Sequence, residues 1–369
     1  MRYSARSTII LCGMLLYVLG ACGSPLPATT VAAVPTDTEP PPTATPTPWP
    51  HPTGRVHHQL VYLDQDELIL LLGGSIGDHQ DPVNASEEVW SYEYDSNTWT
   101  EIAPLTAPEP LTVFPVAFDA ESSQLIRFGG RSSSNPKSKG GHKIWEEGSL
   151  NETWAYDCNN DLWKEMTEGP SHRMGHQMVY NSAADRIIMF GGVGMQGYND
   201  TWAYDFNTDT WTKMNPGISP PRRYYHTMAY DIESDIVLVW GGNDLPDKNM
   251  WAYDINSDTW EKLVSQDGPA HRNFAEMVYD SKADRIIFYG GFRMEDTWAY
   301  DYNTNSWVEM KPDQSPGMLE RFTMVYDPTS GKTILFGGRQ YDADQFEYSD
   351  ETWVYDFETN TWTNMTPDQ

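Results

Sequence analysis

The chain has 369 residues, with 53 acidic against 24 basic side chains, a formal net charge of −29 and three cysteines. A charge of that sign repels nucleic acid and anionic lipid surfaces, so neither is expected as a direct partner. Cys12 and Cys22 lie near the start and Cys158 stands alone, which excludes a disulfide framework and leaves stability to a packed core.

In chain order, Arg2 and Arg6 precede an apolar run from Ile9 to Leu19, too short to span a bilayer and shaped like a secretory signal. It ends in Leu19-Gly20-Ala21-Cys22, which resembles the lipobox of bacterial lipoproteins. The resemblance implies a signal peptide over 1–21, diacylation of Cys22 and an extracytoplasmic chain held on the bacterial cell envelope, with the lipid as its contact with membrane. Residues 22–53 are rich in Pro, Thr and Ala and cannot bury a core. They read as a disordered, extended linker, reaching up to about 90 Å at roughly 3.1 Å per residue. Without Arg2 and Arg6 the balance is 53 acidic against 22 basic residues, or −31.

Residues 54–369 repeat one unit. Trp90/Trp99, Trp154/Trp163, Trp202/Trp211, Trp251/Trp260, Trp298/Trp307 and Trp353/Trp362 are each nine residues apart. A Tyr or Phe stands eleven residues before each glycine pair, from Tyr62 and Gly73 to Tyr326 and Gly337, and the copies follow at intervals of 47 to 62 residues. Each copy holds four short strand candidates, A to D. In the third they are 176–180, 186–190, 201–204 and 211–214, β-branched or aromatic runs separated by Asn, Asp, Ser and Gly. A lone four-stranded meander cannot bury its faces, so the copies have to stack.

A glycine pair after an apolar strand, then Trp-x-Tyr-Asp, then a second Trp, resembles the kelch repeat, and the resemblance covers all six copies. It implies an all-β, six-bladed β-propeller of four antiparallel strands per blade. The first and last copies each carry their own four strands, so blade 1 is expected to close on blade 6 without exchanging one.

In that architecture the A–B and C–D connections share one face, and the B–C and D–A connections share the other. The B–C segments have 15, 23, 9, 8, 6 and 14 residues in copies 1 to 6, so variable loops gather on the second face, where binding usually resides. The three longest belong to copies 6, 1 and 2. They carry Asp78 and His79, then Lys137, Lys139, His142, Lys143 and Trp145, then Tyr341, Asp342, Phe346 and Tyr348.

Arginines join them: Arg55, Arg173, Arg222, Arg223, Arg272 and Arg321 at D–A entries, and Arg131, Arg293 and Arg339 after glycine pairs. Guanidinium groups suit carboxylate or phosphate recognition because each donates two parallel hydrogen bonds. Alternatively, they tie neighbouring blades together. The candidate ligand set is those nine arginines with Trp145, Tyr341 and Tyr348.

Other signals point to structure rather than chemistry. His58, His176 and His226 share one place on strand A of different copies and read as structural, because zinc needs its ligands converged on one point. Asp205 and Asp254 open calcium-like loops that lack the glycine and the final acidic residue of such loops, and read as Asx turns. Copper oxidases that share this fold use a cysteine-crosslinked tyrosine, whereas Cys158 follows Tyr156-Asp157 in a C–D turn on the opposite face. No metal or cofactor is expected. The expected function is a surface-tethered module that binds a protein or glycan. The alternative is an enzyme on acidic sugars, similar to sialic acid epimerases, with His79, His142 and Glu347 as reachable acid/base groups and no assigned catalytic residue.

Overall fold

The structure is a computed structural model that describes residues 50–76, 84–103, 108–132, 148–243, 247–265, 267–342 and 345–366. The chain divides into two units, 1–47 and 48–369, and everything described lies in the second. The expected signal, Cys22 and most of the linker fall outside these residues. So do Asp78, His79, Lys137, Lys139, His142, Lys143 and Trp145.

Each repeat folds as an antiparallel meander with strand order A-B-C-D, giving six four-stranded sheets. In the third sheet the strands are Gln177–Asn181, Arg186–Phe190, Thr201–Asp205 and Thr210–Lys213. Tyr204 pairs with Ile187 on one side and Trp211 on the other. Strand B is apolar throughout because both of its faces are covered: Ile187, Ile188, Met189 and Phe190 are all buried. No α-helix occurs among the described residues.

The cores lie between sheets. Leu70 and Leu72 of sheet 1 pack with Leu125 and Tyr156 of sheet 2. Phe128 meets Tyr204 between sheets 2 and 3, and Phe190 meets Trp260 between sheets 3 and 4. Leu238 and Trp240 meet Phe288 between sheets 4 and 5, and Tyr289 meets Trp362 between sheets 5 and 6. Phe336 of sheet 6 then packs on Leu71 and Trp99 of sheet 1. No strand is exchanged between the first and last sheets.

Two kinds of hydrogen bond stitch sheet to sheet. The second Trp of a repeat donates its indole N–H to a threonine opening strand C of the sheet before it: Trp260 to Thr201 and Trp362 to Thr297, each at 3.0 Å, and Trp99 to Thr352 at 3.0 Å across the first and last sheets. In sheets 2 to 6 the second glycine of the pair donates its N–H to the residue entering the next sheet, as Gly192 does to Arg223 O and Gly338 to Arg55 O, both at 2.9 Å. That approach is why the pair is glycine: Gly191 has φ of 69°, and a Cβ there would lie 2.7 Å from Arg223 O.

The C–D turns are closed from within. Tyr204 donates to Asp209 at 2.8 Å and Tyr253 to Asp258 at 2.9 Å, each acceptor being a left-handed residue five positions on. Asp254 accepts the amide of Asn256 at 2.8 Å and Asp205 that of Thr208 at 3.1 Å, which is the Asx-turn arrangement.

Candidate functional site

The innermost strands surround a central channel, and its D–A end is shaped by one repeated backbone feature. His57, Val113, Gly175, Tyr225, Phe274 and Arg321 stand at the same place in the six sheets, two residues into strand A's approach, and all have φ between 54° and 63°. All six line the mouth, five of them with side chains and Gly175 with backbone alone. The ring is also linked through its main chain: His57 N–H bonds Arg321 O at 3.0 Å, Tyr225 bonds Gly175 at 2.8 Å, Phe274 bonds Tyr225 at 3.1 Å and Arg321 bonds Phe274 at 3.4 Å. Beneath it lies a cavity of about 50 Å³, room for a few waters.

The arginines, read in the sequence as one set, fall into three groups. Arg55, Arg173, Arg223 and Arg272 are buried frame residues. Each donates to the carbonyl of the first glycine of its own sheet, 18 residues ahead: Gly73 at 3.1 Å, Gly191 at 2.8 Å, Gly241 at 3.2 Å and Gly290 at 3.1 Å. Each also pairs with a carboxylate that in turn accepts a strand C indole. Arg173 forks onto Asp200 at 2.7 and 3.0 Å while Trp202 donates to it at 2.8 Å; Arg223 reaches Asp247, and Arg55 and Arg272 pair closely with Glu88 and Asp296. Burial pushes these carboxyls up, but the arginine and indole donors outweigh it in Glu88, Asp200 and Asp296, leaving them below their ordinary values, and Trp251 and Asn249, with Arg223, hold Asp247 at about 2. These four guanidinium groups are committed to the frame. Sheets 2 and 6 have buried Leu111 and Leu319 at this place, and in sheet 2 Arg127 brings a guanidinium near Glu152 from strand B instead.

Arg131, Arg321 and Arg339 form the second group, at the mouth. The Arg321 guanidinium lies 4.4 Å from the Phe274 ring centre, and its Nε is 3.1 Å from Glu320. Arg339 pairs closely with the same buried Glu320 and donates to the Tyr341 hydroxyl at 2.7 Å, with Phe346 at 4.8 Å. Arg131 acts on the same two side chains as Arg321: the charges of both bear on His57 and Tyr225. His57 is held neutral, its pKa well below 6.5, first by burial and then by Arg321, His58, Arg339 and Arg131. Burial raises Tyr225 to about 12. His57, Tyr225 and Phe274 pack with centroids 4.5 to 6.0 Å apart, giving the floor an aromatic face with Arg321 over Phe274.

The third group lies at the margin. Exposed Arg293 sits 5.3 Å from Tyr341 and 5.7 Å from exposed Phe292, and Arg222 is exposed at the entry to sheet 4. Tyr348 and Glu347 instead line a separate depression of about 580 Å³ with Thr53, Ile76, Asp350 and Glu351.

The three strand A histidines do not meet. Each ring packs edge-on against a phenylalanine of the preceding sheet: His58 on Phe336, His176 on Phe128 and His226 on Phe190. Burial lowers all three, His58 to about 3. Among the described residues no group of three or more His, Cys, Asp or Glu could hold a metal ion. Cys158 is pushed up to about 12 by burial and nearby carboxylates, which makes it a poor nucleophile.

Spacing could have separated the arginines. The frame set stands 18 residues before its glycine, whereas Arg321 stands 16 before Gly337 and Arg222 stands 19 before Gly241. The aromatic floor had no such signal, because nothing in Tyr225 or Phe274 marks left-handed backbone.

Six four-stranded meanders packed sheet against sheet round a channel define a propeller-like repeat protein. The family model for the KLHDC2/KLHL20/DRC7 Kelch-repeats domain matches residues 6–232 and 215–369, and the chain belongs to the kelch-repeat family. Kelch domains generally mediate protein interactions. Among curated proteins, Mei4-dependent protein 6 of Schizosaccharomyces pombe (strain 972 / ATCC 24843) is 28% identical over 158 residues, covering 38% of this chain and 21% of that protein. The chain thus spans about a fifth of the length of that relative.

Proposed function

We propose that residues 54–369 form a closed six-bladed propeller that binds a partner protein by taking a carboxylate-bearing segment into the mouth lined by Arg131, Arg321 and Arg339. The supporting observation is Arg321 lying over Phe274 of the His57–Tyr225–Phe274 floor and sharing Glu320 with Arg339, with the charge of Arg131 also bearing on His57 and Tyr225, in a chain whose net charge is −29. A locally cationic, aromatic pit in so acidic a protein selects for anionic groups that can stack and accept paired hydrogen bonds. Tyr341 and Arg293 extend this surface towards sheet 5. A glycan carrying carboxylates has the same chemistry and is the second ligand class. At this mouth His57 is buried and neutral, Glu320 is held between Arg321 and Arg339, and Glu347 lies in another depression, so the described residues lend the acidic-sugar enzyme no support.

The test is thermal unfolding of wild type and of Arg131→Glu and Arg321→Glu variants with acidic peptides, sialate and uronates. A ligand at about 100 times its Kd adds roughly 2.7 kcal/mol of stability. Stabilisation by peptides that is lost in both variants supports protein recognition, and stabilisation by the sugars alone moves the reading to glycans. No shift with any of them sinks the anionic-ligand reading.

We further propose, from the lipobox-like Leu19-Gly20-Ala21-Cys22, that the propeller is exported and tethered by lipid on Cys22, with the Pro/Thr-rich segment as its stalk. In bacterial cells fed radiolabelled palmitate, the wild-type chain takes up label and the Cys22→Ser chain does not. Equal labelling, or none in either, overturns the tether.

A further inference from the structure

The other end of the channel is a different surface. Below the His57 ring, Gln59, Gln177, Glu276 and Thr323 line both the small cavity and, beyond it, a funnel of about 400 Å³ opening among the A–B turns. The funnel wall carries one aromatic ring from each sheet: Tyr62, Phe118, Tyr180, Tyr230, Tyr279 and Tyr326. The rings are held at their tips. Tyr180, Tyr230 and Tyr279 donate to Asp185, Asp235 and Asp284 at 2.9 to 3.0 Å, and Tyr62 bonds Thr329 at 2.7 Å. At the floor stands the Glu276 carboxyl, and the funnel lining contains no lysine, arginine or histidine. Its other acidic group is Asp64, at the rim.

We propose that this funnel is a binding site for a linear aliphatic ammonium, whose chain lies along the aromatic wall and whose charged nitrogen meets Glu276 at the floor. Aromatic faces attract cations, and an ammonium supplies the counter-charge that no described side chain gives this carboxyl. An anion is refused here by the same groups, so the two ends of the channel have opposite preferences. The site does not depend on the reading of the arginine mouth and can fail or stand without it.

Glu276 also makes the site pH-dependent. Burial, partly offset by a Thr227 hydroxyl hydrogen bond, raises its carboxyl to about 8. Sheets 1, 3 and 6 face it with neutral Gln59, Gln177 and Thr323. Beyond it lie His57, His58, His176 and His226, all lowered by burial and hence neutral, Tyr225 raised to about 12, and Arg321, the one cation in the cavity lining. Asp64, on the funnel side, is itself raised by burial and is ionised in the same direction as Glu276. Because an ammonium binds the ionised form, binding releases a proton below pH 8, and affinity climbs towards that pH while the amine stays charged.

The experiment is calorimetric titration of the full-length chain at 150 mM salt with 1,4-diaminobutane, spermidine and Nα-acetyl-lysine amide, against 1,4-butanediol and magnesium chloride. The amines bind at least tenfold more tightly at pH 8.5 than at pH 6.5, and the diol gives no heat. Glu276→Gln, which keeps the shape of the side chain, loses at least tenfold in affinity and the pH dependence with it. Tyr279→Leu weakens binding with the pH dependence intact. Preference for the free diamines marks a small-molecule site, and equal binding of the lysine derivative marks a pocket for a partner's lysine. Unchanged amine binding in Glu276→Gln, equal binding of magnesium, or no amine binding at pH 8.5 overturns the proposal.

Discussion

At the scale of single residues, an arginine's role here is decided by the carbonyl it reaches. Arg173 places its whole guanidinium inside the protein because Gly191 O and both Asp200 oxygens are within bonding distance, whereas Arg321, two places further along strand A's approach, points over Phe274 into the mouth. Breaking a buried pair strands the remaining charge, at a cost of about 3–5 kcal/mol. Arg173→Met is therefore expected to lose about 3 kcal/mol at pH 7, the low end, since the Asp200 side chain keeps 19% of its exposure. The pH dependence carries a definite sign. Asp200 is held below its ordinary value, so its contribution is present above the unfolded carboxylate pKa, about 3.9, and disappears as pH falls. Urea midpoints of wild type and variant should differ widely at pH 7 and converge below pH 4. A constant gap would mean that Arg173 acts through packing alone.

The four-stranded meander owes its shape to glycine pairs and turn residues as much as to its apolar strands. Gly191 is both left-handed, at φ 69°, and within touching distance of the next sheet. Gly191→Ala meets a left-handed penalty of roughly 1–2 kcal/mol and must also shift Arg223 O, so a loss of about 2–3 kcal/mol is expected. Gly217 is the control: it lies outside the left-handed region, a Cβ there meets nothing within 4 Å, and Gly217→Ala should leave the midpoint within about 0.5 kcal/mol or raise it slightly. Denaturant titration of the two variants side by side checks this. Equal effects would show that the glycine pair is not a point of close approach. The A–B and C–D turns are filled with their own hydrogen bonds, which leaves the B–C connections to carry the variation in length.

For the whole molecule, stability rests on each sheet having two neighbours. Removing residues 319–369 would uncover Leu71 and Trp99 of sheet 1 and Tyr289 of sheet 5 together, the faces that Phe336 and Trp362 now cover. The truncated chain is expected to lose its single cooperative unfolding transition and to bind a hydrophobic dye, as followed by tryptophan fluorescence in urea. A sharp transition at the wild-type midpoint would mean that the remaining five sheets stand without the sixth. The charge distribution also belongs to this scale. A net charge of −29 repels an approaching anionic segment at long range, so on the proposed reading selectivity for such a segment comes from the short-range contacts of the mouth arginines.

The sequence by itself determined the repeat, its four strands and the stacking of the copies, because the Trp, Tyr and glycine spacings are local and a meander with two apolar faces has one way to bury them. Strand positions such as 176–180 came within a residue of the observed Gln177–Asn181. The division of the arginines, the left-handed ring that brings His57, Tyr225 and Phe274 together, and the meeting of Glu276 with an aromatic funnel were decided only by the tertiary structure. Arg131, Tyr225, Phe274, Arg321 and Arg339 come from four different repeats, and no spacing along a chain records which side chains six packed sheets bring to one axis.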